Sequence, residues 1–282
     1  MMSRPLNVVR RHPIISFFVL MFALSWWPWP LYAMGVSWAT GPLLPGPVLA
    51  ALIVIPITQG WAGLRELGSR MIRWRVRWYW YAAALGIPLT AAAVAWALNV
   101  ALGAPAPSLA TLPPLTAIVM VFGIKLIHPL NGPMGEEPGF RGFALPGLQG
   151  SGRSPLVATL ILAPLVALWH VPLVFAHEIP PVGLLGPIAF AFAATWVFNH
   201  TGGSVFMTLV MHAAEGTLGM LAGAVFVSAA LAQLSWVGVA VWFVVVIGLV
   251  IFDWKFWRGP ATVRATTVAP VPQVVSQAPK PA

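Results

Sequence analysis

Two adjacent carboxylates, Glu136 and Glu137, stand in the run Gly135-Glu136-Glu137-Pro138-Gly139-Phe140-Arg141-Gly142-Phe143, in a chain with six acidic residues among 282. Neighbouring carboxylates repel each other and resist leaving water. A carboxylate held in a desolvated pocket can take a proton from water, so the pair points to general-base chemistry. Glu137 and Arg141 are four residues apart, the spacing of a helical ion pair, whereas Glu136 is rotated by about 100° and has no such partner. That spacing divides the pair into a structural Glu137–Arg141 couple and a free, reactive Glu136. If a helix begins at Pro138, both carboxylates instead sit at its N-terminus, where the helix dipole helps hold them ionised.

Two histidines in apolar runs join them: His170 in Leu168-Trp169-His170-Val171-Pro172, and His212 in Leu209-Val210-Met211-His212-Ala213-Ala214-Glu215. An imidazole beside a carboxylate can share in activating water, and a second imidazole can stabilise charge on a peptide oxygen. Glu215 shares a helix face with His212, as a substitute polar group or a partner. Lys125, in another apolar run, either snorkels or serves as counter-charge to the glutamates. Two histidines and a carboxylate can also bind zinc, which makes Glu136, His170 and His212 candidate metal ligands. There is no His-Glu-x-x-His run; His177-Glu178 is followed by Ile179-Pro180-Pro181, which breaks both the spacing and any helix. His128, His177 and His200 read as interfacial.

These groups must be positioned by membrane-spanning helices. Apolar residues make up 59% of the chain and charged residues 7%, against about 25% charged in soluble domains; mean hydropathy is +0.87. The expected fold is all-α and polytopic. Eight spans are read, at about 13–34, 42–59, 78–102, 115–149, 155–175, 182–198, 204–227 and 233–252, each near the ~20 apolar residues a bilayer requires. The fourth, which carries the glutamates, must be broken, because Pro129, Gly132, Pro133, Pro138 and Gly139 fall within it. Such backbone survives at membrane depth only where protein buries it or water reaches it, and water is also a reactant. Residues 1–258 form the membrane domain, with its motif-bearing core at about 112–227. Residues 259–282, rich in Pro, Ala, Val and Gln, read as a disordered cytoplasmic tail.

The net charge of +9 does not mark a nucleic-acid binder. With eight spans, thirteen of the fifteen Lys and Arg fall on one side, and the loops near 35–41, 103–114, 176–181 and 228–232 carry none. The positive-inside rule then puts both termini in the cytoplasm of a multi-pass cell-membrane protein. The other two, Lys125 and Arg141, lie within the fourth span. The run after Arg11 is long and aromatic without a small-residue cleavage site, so no cleaved leader is expected. The chain has no cysteine, which excludes disulfides, thiolate ligands and a Cys nucleophile. Trp26, Trp27, Trp29, Trp78, Trp80, Trp254 and Trp257 sit at span ends, where indoles favour the headgroup level.

The turn at 150–153 joins spans four and five. Glu137 lies fifteen residues before Gly152 and His170 eighteen after it, so both sit ~22–27 Å along antiparallel helices. His212, nine residues past Gly203, lies ~14 Å from the same face. A helical hairpin thus sets the glutamates opposite His170, and tilt is needed to bring in His212.

Glu-Glu-x-x-x-Arg-Gly, then Leu-Trp-His-x-Pro, then Asn-x-Thr-Gly-Gly-Ser with a later histidine, resembles the CPBP family of CAAX proteases and bacteriocin-processing, or Abi, membrane proteins. The resemblance runs from about Gly135 to Thr217. It implies that Glu136 and His170 activate water and that His212 stabilises the oxyanion, with Glu137, Arg141 and Glu215 in support. It also implies an asparagine four residues after His212, where this chain has Gly216. The family has been described both as metalloproteases and as glutamate-dependent enzymes, so zinc stays open. The expected function is intramembrane endopeptidase action on a peptide or protein substrate. The alternative, which Gly216 supports, is a non-catalytic immunity or scaffold protein of the same fold. A transporter ranks third, because the spans show no duplicated halves.

Overall fold

The computed structural model describes residues 4–36, 45–130 and 132–263. The basic helix α1 (Arg4–Arg11) leads into α2 (Pro13–Trp26) and α3 (Trp29–Ala33); α4 (Gly46–Met71) and α5 (Trp78–Ala101) follow. Then come α6 (Leu115–Ile127), α7 (Pro133–Gly139), α8 (Leu145–Gly150), α9 (Pro155–Trp169) and α10 (Val171–Phe175). The chain finishes with α11 (Leu185–His200), α12 (Val205–Val225), α13 (Ser228–Phe252) and α14 (Trp254–Arg258). No strand occurs among the described residues.

Seven helical units are long and apolar enough to cross a membrane: Pro13–Ala33, Gly46–Met71, Trp78–Ala101, Pro155–Phe175, Pro181–His200, Val205–Val225 and Ser228–Phe252. The eighth span is the broken one. Its apolar half, Leu115–Ile127, is too short to cross alone, so seven candidate spans stand where eight were read, and α7 and α8 follow it as short helices. The fold is that of a polytopic membrane protein. On α13, Val244, Ile247 and Ile251 are 68%, 56% and 72% exposed; such a face is stable only against lipid tails.

Lipid tails are as apolar as leucine, so helix pairing rests on close packing of small residues. Ala84, Ala91 and Ala95 of α5 and Ala189, Ala191, Ala193 and Ala194 of α11 are buried accordingly. A second device is the glycine contact. A Cβ at Gly139 would overlap the carbonyl group of Pro47 and lie 2.7 Å from the Pro47 Cβ. Only glycine lets α7 lie this close to the start of α4.

A polar clasp fixes one end of the bundle. Arg70 pairs with Glu66 at 2.9 Å and donates to the Gly142 carbonyl at 3.2 Å. Arg73 donates to the Gly202 carbonyl. Ser204 donates to the Arg73 carbonyl at 2.6 Å and accepts from the Met207 N–H at 3.1 Å, capping α12. The end of α4, the turn after α7 and the start of α12 are thereby held together.

Three details depart from the sequence reading. The second span, read as ending near residue 59, continues to Met71 through a kink at Gly60 (φ 63°, ψ −159°). The continuation turns Leu64, Leu67, Arg70 and Met71 inward and leaves Arg65 and Gly68 exposed, with Glu66 between them pairing with Arg70. Arg65 and Arg70 therefore lie on helix rather than loop. Trp257 does not face outward as an interfacial indole would: it is fully buried against Phe192 and donates to the Leu249 carbonyl at 3.1 Å. Most of the expected tail, residues 264–282, lies outside the described residues; before it, Ala261 and Val263 are buried.

Replacing Gly139 with Ala should lower the melting temperature of the detergent-solubilised protein, at an overpacking cost of about 1–3 kcal/mol. Ala at Gly68, where nothing lies within 4 Å of the new Cβ, should leave it unchanged or raise it. Equal melting of the two variants would mean that α7 does not rest on Pro47 as described.

Candidate functional site

Helix α7 opens at Gly132, whose φ of 46° suits glycine, followed by Pro133 at its first position. It therefore starts before the glutamates, not at Pro138, and Glu136 lies in its first turn. Pro138 donates no N–H, and the chain passes into a π-helical turn at Phe140–Ala144. The turn keeps Arg141 on the face of Glu137.

Glu137 is fully buried. Its Oε1 accepts from Arg141 Nη1 at 2.9 Å and from His212 Nδ1 at 2.9 Å. An oxygen that accepts from a guanidinium has no proton to give, so His212 carries its own proton on Nδ1. Arg141 is 1% exposed, and its guanidinium carbon lies 5.5 Å from the ring centroid of Phe190 and 6.0 Å from that of Phe140. The same Phe190 ring packs on His212 at 4.8 Å. One carboxylate thus ties α7, the π-helical turn and α12 together.

Glu136 takes no part in that cluster. Its Oε2 lies 4.0 Å from His170 Nε2. His170 follows the last residue of α9, and its Nδ1 is 2.8 Å from the Val166 carbonyl oxygen. A carbonyl only accepts, so Nδ1 bears the proton and Nε2 offers a lone pair towards Glu136. Helix α2 holds this end of α9: Trp169 donates its indole N–H to Ser25 Oγ at 2.6 Å, and Trp26 donates to the Trp169 carbonyl at 3.1 Å. Trp26 is thus a brace for the residue beside His170, not merely an interfacial indole. The sequence signalled neither bond, since both depend on how α2 crosses α9.

Glu136, His170, His212 and Glu215 line one cavity of about 200 Å³ with Phe190 and Trp242. A wider groove of about 430 Å³ shares Ile179, Gly183, Gly186, Glu215 and Trp242 with it and continues between α5 and α13. Its walls there are mostly apolar, among them Ala91, Ala95, Leu218 and Leu234. The remaining histidines stand apart. His128 and His177 are exposed, while His200 pairs with Asp253 at 2.9 Å between the rings of Trp80, Trp196 and Phe256.

As placed, Glu136, His170 and His212 do not form a metal-holding group, nor do any three such residues among those described. His212 turns Nδ1 to Glu137, and Glu136 stands 4.0 Å from His170.

The contrast between the two glutamates is measurable. Glu137→Gln leaves Arg141 as an unpaired buried charge and should cost about 3–5 kcal/mol, read as a large drop in melting temperature. Glu136→Gln breaks no hydrogen bond among the described residues and should melt within a degree or two of wild type. Similar melting of both variants would contradict the described cluster.

No curated protein matches the chain. Residues 114–218 match a family model described as type II CAAX prenyl endopeptidase Rce1-like. The matched segment runs from the residue before α6 into α12 and contains both glutamates, Arg141, His170, His212 and Glu215. The family points to proteolysis of the CAAX type in a membrane. The matched segment carries every motif residue, and the match supports the CPBP family that those motifs resemble.

Proposed function

We propose that the chain is an intramembrane endopeptidase in which Glu136 and His170 activate a water molecule. The observation that carries this reading is the 4.0 Å separation of Glu136 Oε2 and His170 Nε2 on the cavity wall. Two acceptors so spaced can each take a hydrogen bond of about 2.8 Å from one water. The water then gives one proton to each bond and turns a lone pair into the cavity.

Attack of that oxygen on a peptide carbonyl transfers a proton to Glu136 and puts negative charge on the former carbonyl oxygen. The oxyanion faces His212, whose Nε2 donates when the ring is protonated, with the Glu137 carboxylate at Nδ1 as counter-charge. Collapse of the intermediate breaks the C–N bond, and the proton on Glu136 passes to the leaving amine. The products are a carboxylate and an amine. The apolar groove offers an approach from the bilayer for a substrate with an apolar body. The cluster of Lys and Arg at one end supports a cell-membrane protein with cytoplasmic termini.

The test uses purified protein in liposomes and two quenched fluorogenic peptides ending in Cys-aliphatic-aliphatic-X, one prenylated and one not. Wild type should release fluorescence from at least one. Glu136→Gln should lower kcat by at least 10³-fold while the protein still accumulates and melts normally, and His170→Ala should lose activity comparably. Comparison of protein termini in membranes carrying wild-type or Glu136→Gln protein should reveal native substrates. Full activity of Glu136→Gln would sink the assignment of the base, whereas absence of turnover and of altered termini in wild type would favour the immunity or scaffold reading.

A further inference from the structure

Between the kink at Gly60 and the start of α5 the chain carries Arg65, Arg70, Arg73, Arg75 and Arg77, with Glu66 as the one acid among them. Two of these arginines are spent inside the protein. Arg70 takes Glu66 and the Gly142 carbonyl, and Arg73 takes the Gly202 carbonyl and lies 3.7 Å from Glu66. The other three are exposed, and no carboxylate among the described residues pairs with them. Arg75 lies over the ring of Trp74, 5.2 Å from its centroid, and Arg77 donates to the Tyr79 hydroxyl at 3.2 Å. Neither contact neutralises a charge.

Large apolar groups alternate with these cations. On the extension of α4, positions 61, 65, 68 and 72 follow one helix face, and there Trp61 and Ile72 are 67% and 73% exposed on either side of Arg65. In the loop that follows, Trp74 and Trp78 are exposed beside Arg75 and Arg77. Water suits the guanidinium groups and lipid tails suit the rings; the headgroup layer of a bilayer suits both. The position agrees, because residues 72–77 join two helices that are each long and apolar enough to cross a membrane. A guanidinium is always charged, and its planar fork matches a phosphate.

We propose that this stretch is a docking surface for anionic phospholipids, whose headgroup phosphates are taken by Arg65, Arg75 and Arg77 while the neighbouring indoles sit among the headgroups. The surface is built onto the polar clasp. Arg73, between the exposed arginines, holds Gly202 through its side chain and Ser204 through its carbonyl, and Arg70 holds the turn after α7. A lipid that steadies residues 72–77 therefore steadies the joint between α4, that turn and α12. The proposal is independent of the endopeptidase reading, since it uses none of the residues that line the cavity.

The test titrates the full-length protein, in detergent micelles, with phosphatidylglycerol or phosphatidylcholine. Native mass spectrometry reads the bound lipid and a thermal melt reads stability. Wild type should prefer phosphatidylglycerol and melt several degrees higher with it, and salt near 1 M should weaken both effects. Each of Arg65→Gln, Arg75→Gln and Arg77→Gln should lose roughly fivefold of the preference, and the triple variant about 10²-fold. Melting in phosphatidylcholine should stay within a degree or two of wild type for all four. A second triple variant, Arg153→Gln/Lys255→Gln/Arg258→Gln, removes the same charge from other exposed positions and should keep the preference within about threefold. No preference in wild type overturns the proposal. Equal loss in the two triple variants also does, because net charge then explains the binding. An equal melting shift from soluble glycerol phosphate overturns the assignment to lipid, since the arginines then take phosphate without a bilayer.

Discussion

The site depends on one buried carboxylate. Glu137 has no exposed surface and holds Arg141 and His212 through a single oxygen, each at 2.9 Å. In a low-dielectric interior an unpaired charge is expensive, and a hydrogen-bonded pair is tolerated. Once Arg141 is inside, Glu137 must be there, and once Glu137 is there its oxygen can orient an imidazole from another helix. The cluster fixes the rotation of α12 relative to α7, and with it the direction in which His212 faces. Glu136 needs no separate constraint: one residue earlier on the same helix turns its carboxylate about 100° away, into the cavity.

The broken span is what makes this arrangement possible. A continuous helix over residues 115–149 would carry both glutamates as one more turn of an apolar rod. Instead α6 ends at Ile127, Gly132 and Pro133 restart the chain, and the π-helical turn at Phe140–Ala144 shifts the register of α8. Freed backbone groups at such breaks need new partners. One of them is visible: the Gly142 carbonyl accepts from Arg70, which also ties the turn to the end of α4. The glycine contact of Gly139 on Pro47 holds the other side. The irregular segment is therefore held against α4 at two points, Gly139 and Gly142, just past the turn that carries Glu136 to the cavity wall.

The sequence made the spans readable because a bilayer imposes a length on every apolar run and a bias on every basic one. It made Glu136, Glu137 and Arg141 readable because acids are so rare here that their spacing carries meaning. Contacts that depend on helix rotation and crossing angle left no trace in the linear chain. The bond from His212 to Glu137 spans 75 residues, and the bonds of Trp26 and Trp169 span more than 140. Indoles at span ends look alike whether they are exposed, as Trp78 is, or brace a neighbouring helix, as Trp26 does. The extension of α4 beyond Gly60 was hidden for a different reason: its charged face resembles a loop once hydropathy alone is followed.

The polar groups also sort by how firmly they are held. Glu137, Arg141 and the Nδ1 sides of His170 and His212 are bonded to protein. Among the described residues the carboxylate of Glu136 and the Nε2 sides of both imidazoles have no such bond, and all three side chains line the cavity. A catalytic group must be fixed on one side and uncommitted on the other, since a bond to protein at the reacting atom would have to break before each turnover. Each histidine meets that condition through its two distinct nitrogens, one spent on orientation and one left for chemistry. Glu136 meets it through backbone placement alone, since its neighbour in sequence absorbs the ion pair. Adjacent carboxylates, costly as a pair, become useful when the helix sends one of them to anchor the site and the other into it.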